Sequence, residues 1–149
     1  MRTVDTKAFL DAVCQMLREG AECVPVPVTG ISMTPFLYPG DTVYLSLPEG
    51  ELKKGDIVLY VRPGERYILH RIVKVKKDGS FLILGDGQLE KEPVLPQQIR
   101  AKVVRAQRRG VMTGPGDRDW ELFAVDWVRL APVRRQIFWL RKLMKGKQG

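Results

Sequence analysis

A chain of 149 residues, 44% of them hydrophobic, can bury one sizeable core and offers little material for a second. Its 25 Lys and Arg against 17 Asp and Glu leave a net charge of +8, which excludes the strongly acidic, solvating class and asks where the excess sits. No internal repeat, low-complexity tract or apolar run of membrane-spanning length is visible, so fibrous, repeat and multi-span classes are set aside.

The first predicted element is a short amphipathic helix from Thr6 to Glu19, with Phe9, Leu10, Val13, Met16 and Leu17 at helical spacing and Gly20 as its stop. Arg2, Asp5, Lys7 and Asp11 make this region too charged for a signal peptide or an anchor. Cys14 and Cys23 have no metal-ligand pattern around them and read as free thiols in a reducing cytoplasm, although spacing alone leaves a disulfide between them open. Val26 to Thr29 is extended, stiffened by Pro25 and Pro27, and runs into Gly30-Ile31-Ser32-Met33-Thr34-Pro35. Gly30 permits a sharp turn and Pro35 pushes Thr34 out of helical geometry, which leaves the Ser32 hydroxyl and nearby amides at the mouth of a strand.

Short β-rich runs follow at Thr42–Leu47, Asp56–Val61, Tyr67–Lys76, Ser80–Leu84 and Ile99–Ala106, separated by Gly, Pro and Asp turns. Gly110 to Asp119 reads as a surface loop. Trp127 to Lys145 reads as a terminal helix with Pro132 at a break or first turn. Residues 1–100 carry 13 basic and 13 acidic side chains, whereas residues 101–149 carry 12 and 4, so the whole excess belongs to the tail. There Trp127, Leu130, Val133, Ile137, Leu140 and Met144 recur at helical steps between Arg134, Arg135, Arg141, Lys142 and Lys145. Such a helix either lies on an anionic membrane or packs its apolar stripe on the sheet, and the sequence favours neither. Nucleic acid is the weaker partner, because no helix-turn-helix or zinc pattern accompanies the charge.

His70 is the only histidine, inside the apolar run Tyr67-Ile68-Leu69-His70-Arg71-Ile72-Val73. A lone histidine on a strand is more often a core residue, and a serine in a turn is more often a turn former. Together they match a different need: a hydroxyl is a poor nucleophile until a neighbouring base accepts its proton, and imidazole has the suitable pKa. Of the three Gly-Asp pairs, Asp41 and Asp56 precede apolar runs and read as turn residues that open strands. Asp86 instead follows Phe81-Leu82-Ile83-Leu84 and can stand at a strand end beside the site.

Gly30 to Pro35 with Tyr38-Pro39-Gly40-Asp41-Thr42-Val43 resembles the nucleophile box of type I signal peptidases and of their relatives, the LexA-like self-cleaving repressors. Further boxes come in order: Lys54-Gly55-Asp56-Ile57-Val58, His70-Arg71-Ile72-Val73, Leu84-Gly85-Asp86-Gly87 and Ala101-Lys102-Val103-Val104. The resemblance spans about residues 26–106, and histidine at the base position is similar to the eukaryotic, archaeal and minor Gram-positive enzymes. It implies a mostly β fold, a coiled antiparallel sheet or partly closed barrel with flanking helices. It also implies Ser32 as nucleophile, His70 as base and Asp86 as the acid that orients it. Where the family has Asn residues and a second acid after this Asp, the chain has Gly87, Gln88, Glu90 and Glu92, so either glutamate is an alternative acid.

The expected organisation is a helical segment at 1–24, a catalytic β-core at 25–108 and a basic loop and helix at 109–149, joined in one domain. The expected activity is a serine endopeptidase that takes an extended peptide along a sheet edge, with Ile31 and Ser32 amides as the oxyanion site, Met33 packed beneath and no metal or organic cofactor. A precursor or leader peptide is the expected substrate, and the cytoplasm, peripherally at the inner membrane face, the expected location. The alternatives are an idle peptide-binding module and a self-cleaving regulator of the LexA kind.

Overall fold

The computed structural model describes residues 3–148. Helix α1 (Thr3–Arg18) is followed by β1 (Val24–Pro27), β2 (Thr42–Ser46), β3 (Ile57–Arg62), β4 (Arg66–Val75), β5 (Phe81–Leu84), β6 (Glu92–Val94), β7 (Ile99–Arg108) and β8 (Val111–Thr113). The strands form one sheet in the order β1-β2-β7-β3-β4-β5-β6, with β8 on β7. Every pairing is antiparallel. The path does not close, and register shifts at Tyr44/Leu45, Leu59/Tyr60 and Ile72/Lys74 bend it. The expected mostly β, antiparallel architecture with flanking helices is present.

Strand β3 explains the division of the core. Ile57, Val58, Leu59 and Tyr60 are all buried, and their period of two sends alternate side chains into different clusters. Ile57 and Leu59 join the larger one, where Leu10, Val13, Cys14 and Leu17 of α1 cover β1, β2 and β7. Val58 and Tyr60 join the smaller one with Ile72, Phe81, Ile83 and Val94. The four buried α1 residues follow i, i+3, i+4, i+7 spacing, so burial of that stripe and not intrinsic propensity holds the helix. Met16, expected on it, is 49% exposed. Cys14 and Cys23 are unpaired thiols.

Two strands and the start of the last helix depart from the sequence reading, whereas a break falls at Pro132 as expected. Strand β6 is three residues long and contains Pro93, and β8 lies within the stretch expected to be a loop. The expected helix from Trp127 to Lys145 is not continuous. A short helix α2 (Arg118–Glu121) passes into a wide π-turned segment, Leu122–Trp127, then a 3-10 turn at Ala131–Val133, and only then α3 (Arg134–Gln148). Pro132, which has no N–H to give an α-helix, sits in that turn. Trp127 therefore lies outside α3, and its indole N–H donates to the Asp86 carbonyl at 2.9 Å. Helix α3 is amphipathic in an unusual sense. Buried Arg134 and half-buried Phe138 share one stripe with the exposed Arg141 and Lys145, while Trp139 (60%), Leu140 (53%), Leu143 (47%) and Met144 (64%) are exposed elsewhere on it. Of the expected apolar stripe, Leu130, Val133, Leu140 and Met144 are exposed, whereas Trp127 and Ile137 are partly buried.

The turn into β3 meets the C-terminal segment at Gly55, which has φ +100° and where a Cβ would stand 2.6 Å from the Ala124 carbonyl oxygen. Gly55→Ala is expected to destabilise the protein by roughly 1–3 kcal/mol through that clash and the positive φ. Urea unfolding should show a lowered midpoint with an unchanged slope.

Candidate active site

Ser32 sits in an excursion of the chain between β1 and β2. Its base is closed by backbone hydrogen bonds from Val28 N–H to Asp41 O at 2.7 Å and from Gly40 N–H to Val28 O at 3.0 Å. Met33, Phe36 and Leu37 are buried beneath it, while Ile31 is 72% exposed at its tip. The Thr34 hydroxyl and amide both donate to the Ile31 carbonyl, at 2.8 and 3.1 Å. Among the described residues, the Ile31 and Ser32 amides make no backbone hydrogen bond. Phe36 anchors the turn: its ring lies 5.1 Å from the Arg71 guanidinium and 4.4 Å from that of Arg108, with Trp120 and Phe123 at its edges.

His70 comes to the turn from β4, with its Nε2 3.0 Å from the Ser32 Oγ. The Nδ1 side faces the hydroxyl of Tyr60 at 3.4 Å. Strand register accounts for this neighbour: Tyr60 is opposite Ile68, so His70 is its diagonal partner on the same face. The Tyr60 hydroxyl in turn donates to the Glu92 carboxylate. Arg62, two residues along β3, donates to both Glu92 oxygens at 2.7–3.0 Å. The arrangement is satisfied throughout when Nδ1 carries the imidazole proton and Nε2 accepts from Ser32. Burial first, and then the field of Arg62, pushes the His70 pKa down to about 4. Burial and the Glu92 contact hold the Tyr60 phenol well above its ordinary value. Glu92 is pushed up by burial, but its hydrogen bonds from Arg62 and Tyr60 outweigh this and keep it below the usual carboxylate range.

Thus Ser32 and His70 are brought together, whereas the expected Asp86–His70 hydrogen bond is not formed. Asp86 is fully buried, and its two oxygens accept from Nε and Nη2 of Arg71, each at 2.8 Å. An isolated buried carboxylate is costly and Arg71 is the residue next to His70, so the carboxylate goes to the guanidinium. Glu90 is exposed, and Glu92 reaches the imidazole only through Tyr60. The sequence reading missed Tyr60 and Arg62. The signal was there in the spacing Tyr60-Val61-Arg62 on a strand beside the His70 strand, since a buried tyrosine hydroxyl needs a partner.

Asp86 belongs to the loop that supports the turn. Gly87 N–H donates to the Ser32 carbonyl at 2.9 Å, and a Cβ on Gly85 would lie 2.5 Å from that same oxygen. Glycine at 85 and 87 thus permits backbone-to-backbone contact. Behind this loop the buried Arg134 donates to the Gly85 and Gln88 carbonyls at 3.0 and 3.1 Å. On the open side, a hollow of about 180 Å³ lies beside Ser32 and His70, walled by Val26, Val28, Leu59, Leu69 and Leu10 of α1. Tyr67 ties the helix down by donating to Asp11 at 2.5 Å. Among the described residues no group of His, Cys, Asp and Glu side chains converges as a metal site.

The lowered pKa has a sign. Unfolded His70 takes up a proton near pH 6.5 and folded His70 near 4, so its contribution is complete above the upper value and lost as pH falls between the two. The loss is on the order of 3 kcal/mol. His70→Gln should abolish that part of the stability–pH curve, and a titration of the imidazole by NMR should give a midpoint near 4.

Residues 2–104 match the peptidase S24-like family. A 75-residue stretch, 48% of the chain, is 35% identical to the signal peptidase complex catalytic subunit sec11 of Dictyostelium discoideum, of whose length it spans 42%. With most of its residues matched, and with Ser32 and His70 in contact on its curved sheet, the chain belongs to the peptidase S24-like family.

Proposed function

We propose that this peptidase is a serine endopeptidase of the signal peptidase type, with Ser32 as nucleophile and His70 as its general base. The observation that carries the reading is the 3.0 Å contact between Ser32 Oγ and a histidine nitrogen whose partner nitrogen is backed by Tyr60 and Glu92. Ser32 Oγ attacks the scissile carbonyl while His70 Nε2 accepts its proton. The Ile31 and Ser32 amides stabilise the oxyanion. As the C–N bond breaks, His70 returns the proton to the leaving amine, and water then hydrolyses the acyl-serine by the same steps. Glu92, through Tyr60, holds the imidazole in the required tautomer, a role the sequence reading gave first to Asp86. Asp86 acts from a distance, favouring the imidazolium with its charge and holding the loop under Ser32. The signal peptidase name of the relative supports a precursor or leader peptide as substrate, bound extended with an apolar side chain in the hollow beside α1.

Ser32→Ala and His70→Ala should each lower peptide hydrolysis by about a thousandfold or more, with the double variant no worse. An idle peptide clamp would show no hydrolysis to lose. Tyr60→Phe and Glu92→Gln should cost on the order of tenfold or more in kcat per folded molecule. Asp86→Asn should instead act mainly on stability, by roughly 3–5 kcal/mol, because it leaves Arg71 buried without its charge partner. The reverse ranking would return the orienting role to Asp86. The acid limb of kcat/KM should fall near pH 4, well below that of an ordinary histidine.

The exposed apolar side chains of α3 favour a second property, reversible attachment to an anionic membrane at the cytoplasmic face. No helix among the described residues is long and apolar enough to cross a bilayer. Trp139, Leu140, Leu143 and Met144 can instead enter its interface, and each Lys or Arg near the surface adds roughly 1 kcal/mol. Co-sedimentation with anionic liposomes at low salt should be strong, weakened by salt, and lost in Trp139→Ser/Leu143→Ser. Equal binding by that variant, or to neutral liposomes, would contradict attachment through this face.

A further inference from the structure

The nucleophile turn has hollows on two sides. Ser32 and Met33 border the apolar one against α1, whereas Ile31, Thr34 and Pro35 border a cleft of about 390 Å³ against α3. Its α3 wall is Phe138, Arg141 and Lys145, one helical stripe with Arg134, whose burial fixes the stripe toward the turn. The stripe therefore sets two cations beside the residue that precedes Ser32. No acidic side chain lines the cleft, and among the described residues none lies within ion-pair distance of Arg141 or Lys145. Elsewhere on the surface, cations do find acids: Arg109 pairs with Asp41, Arg108 with Asp119 and Arg62 with Glu92.

We infer that this cleft is a second substrate subsite, which receives an acidic side chain of the peptide on the flank of the scissile bond that runs from Ser32 over Ile31 toward α3. The inference rests on the serine endopeptidase reading for its chemistry, but its recognition step is a binding event that can be measured without hydrolysis. An extended peptide advances about 3.3 Å per residue, so one that places a side chain in the apolar hollow carries its neighbours across Ser32 and over the exposed Ile31. Thr34, Pro35 and Tyr38 give the cleft a floor on which the stem of Asp or Glu can rest, while its carboxylate meets Arg141 and Lys145. The outer face of α3 has the opposite composition. A lipid surface would engage that face through Trp139 and Leu143, leaving the inner cations to the peptide.

The test uses the full-length Ser32→Ala protein and short fluorescent peptides of Ala and Val that differ only in a pair of Asp, Asn or Lys residues. The pair is moved stepwise along the peptide, and affinity is read by fluorescence anisotropy without liposomes. The expected result is that Asp at one set of positions binds about tenfold more tightly than Asn, that raised salt removes the difference, and that R141E/K145E inverts it in favour of Lys. The active protein should show the same order in KM for any peptide that it cleaves. No preference at any position, or an Asp preference that survives in R141E/K145E, would overturn the inference. So would a variant that loses liposome binding while its peptide preference is unchanged, because the two cations would then serve the membrane. Failure of the nucleophile reading would appear separately, as hydrolysis by Ser32→Ala equal to that of the unaltered protein.

Discussion

The buried ion pair between Arg71 and Asp86 joins the two halves of the site. Arg71 stands beside His70 on β4, and Asp86 is in the loop whose Gly87 amide holds the Ser32 carbonyl. The guanidinium also donates to the Gly55 carbonyl and lies against Phe36, the side chain under the nucleophile turn. One charged contact thereby fixes the base strand, the supporting loop and the turn relative to one another. A pair this deeply buried contributes little net stability over well-packed apolar residues, but removal of one partner is expensive. Its value here is positional: it holds together segments that are 15 residues apart in the chain.

Much of the fold was legible because its elements follow simple periods. The buried residues of α1 repeat at helical spacing, and the alternation in β2 and β7 marks their inner faces. Ser32 and His70 could be read from local chemistry and ordered boxes. The acid could not, since its assignment depends on which cation or hydroxyl reaches which carboxylate across the sheet. Asp86 follows a strand end, where sequence suggests a triad acid, yet both its oxygens accept from Arg71, and Tyr60 stands beside Nδ1. Strand β6, which carries Glu92, is too short and too rich in proline to announce itself, being held by pairing to β5 and not by its own propensity.

The C-terminal segment was the least legible part, for a related reason. Its apolar residues suggested one continuous stripe, but they divide between two tasks. Trp127 of that stripe donates to the 85–88 loop, behind Trp120 and Phe123 on Phe36, whereas Leu140 and Met144 remain exposed on α3 beside Trp139 and Leu143. Periodicity alone does not reveal the break, because the π-turned segment and the 3-10 turn reset the phase of the helix. Arg134, counted with the basic residues between the apolar steps, is buried against backbone carbonyls behind the site. The tail is thereby both a buttress of the nucleophile turn and a carrier of unsatisfied apolar surface.

Activation of Ser32 by a neutral, buried His70 is the step on which the site's chemistry depends. Intact-mass analysis after exposure to a fluorophosphonate reports this directly, because the reagent forms a stable bond only with an activated serine. A single adduct, mapped to Ser32, is expected to form at a rate independent of pH down to about 5, to slow near pH 4 and to disappear in His70→Ala. No adduct on the folded protein, or an adduct on Ser32 that forms equally fast in His70→Ala, would contradict it.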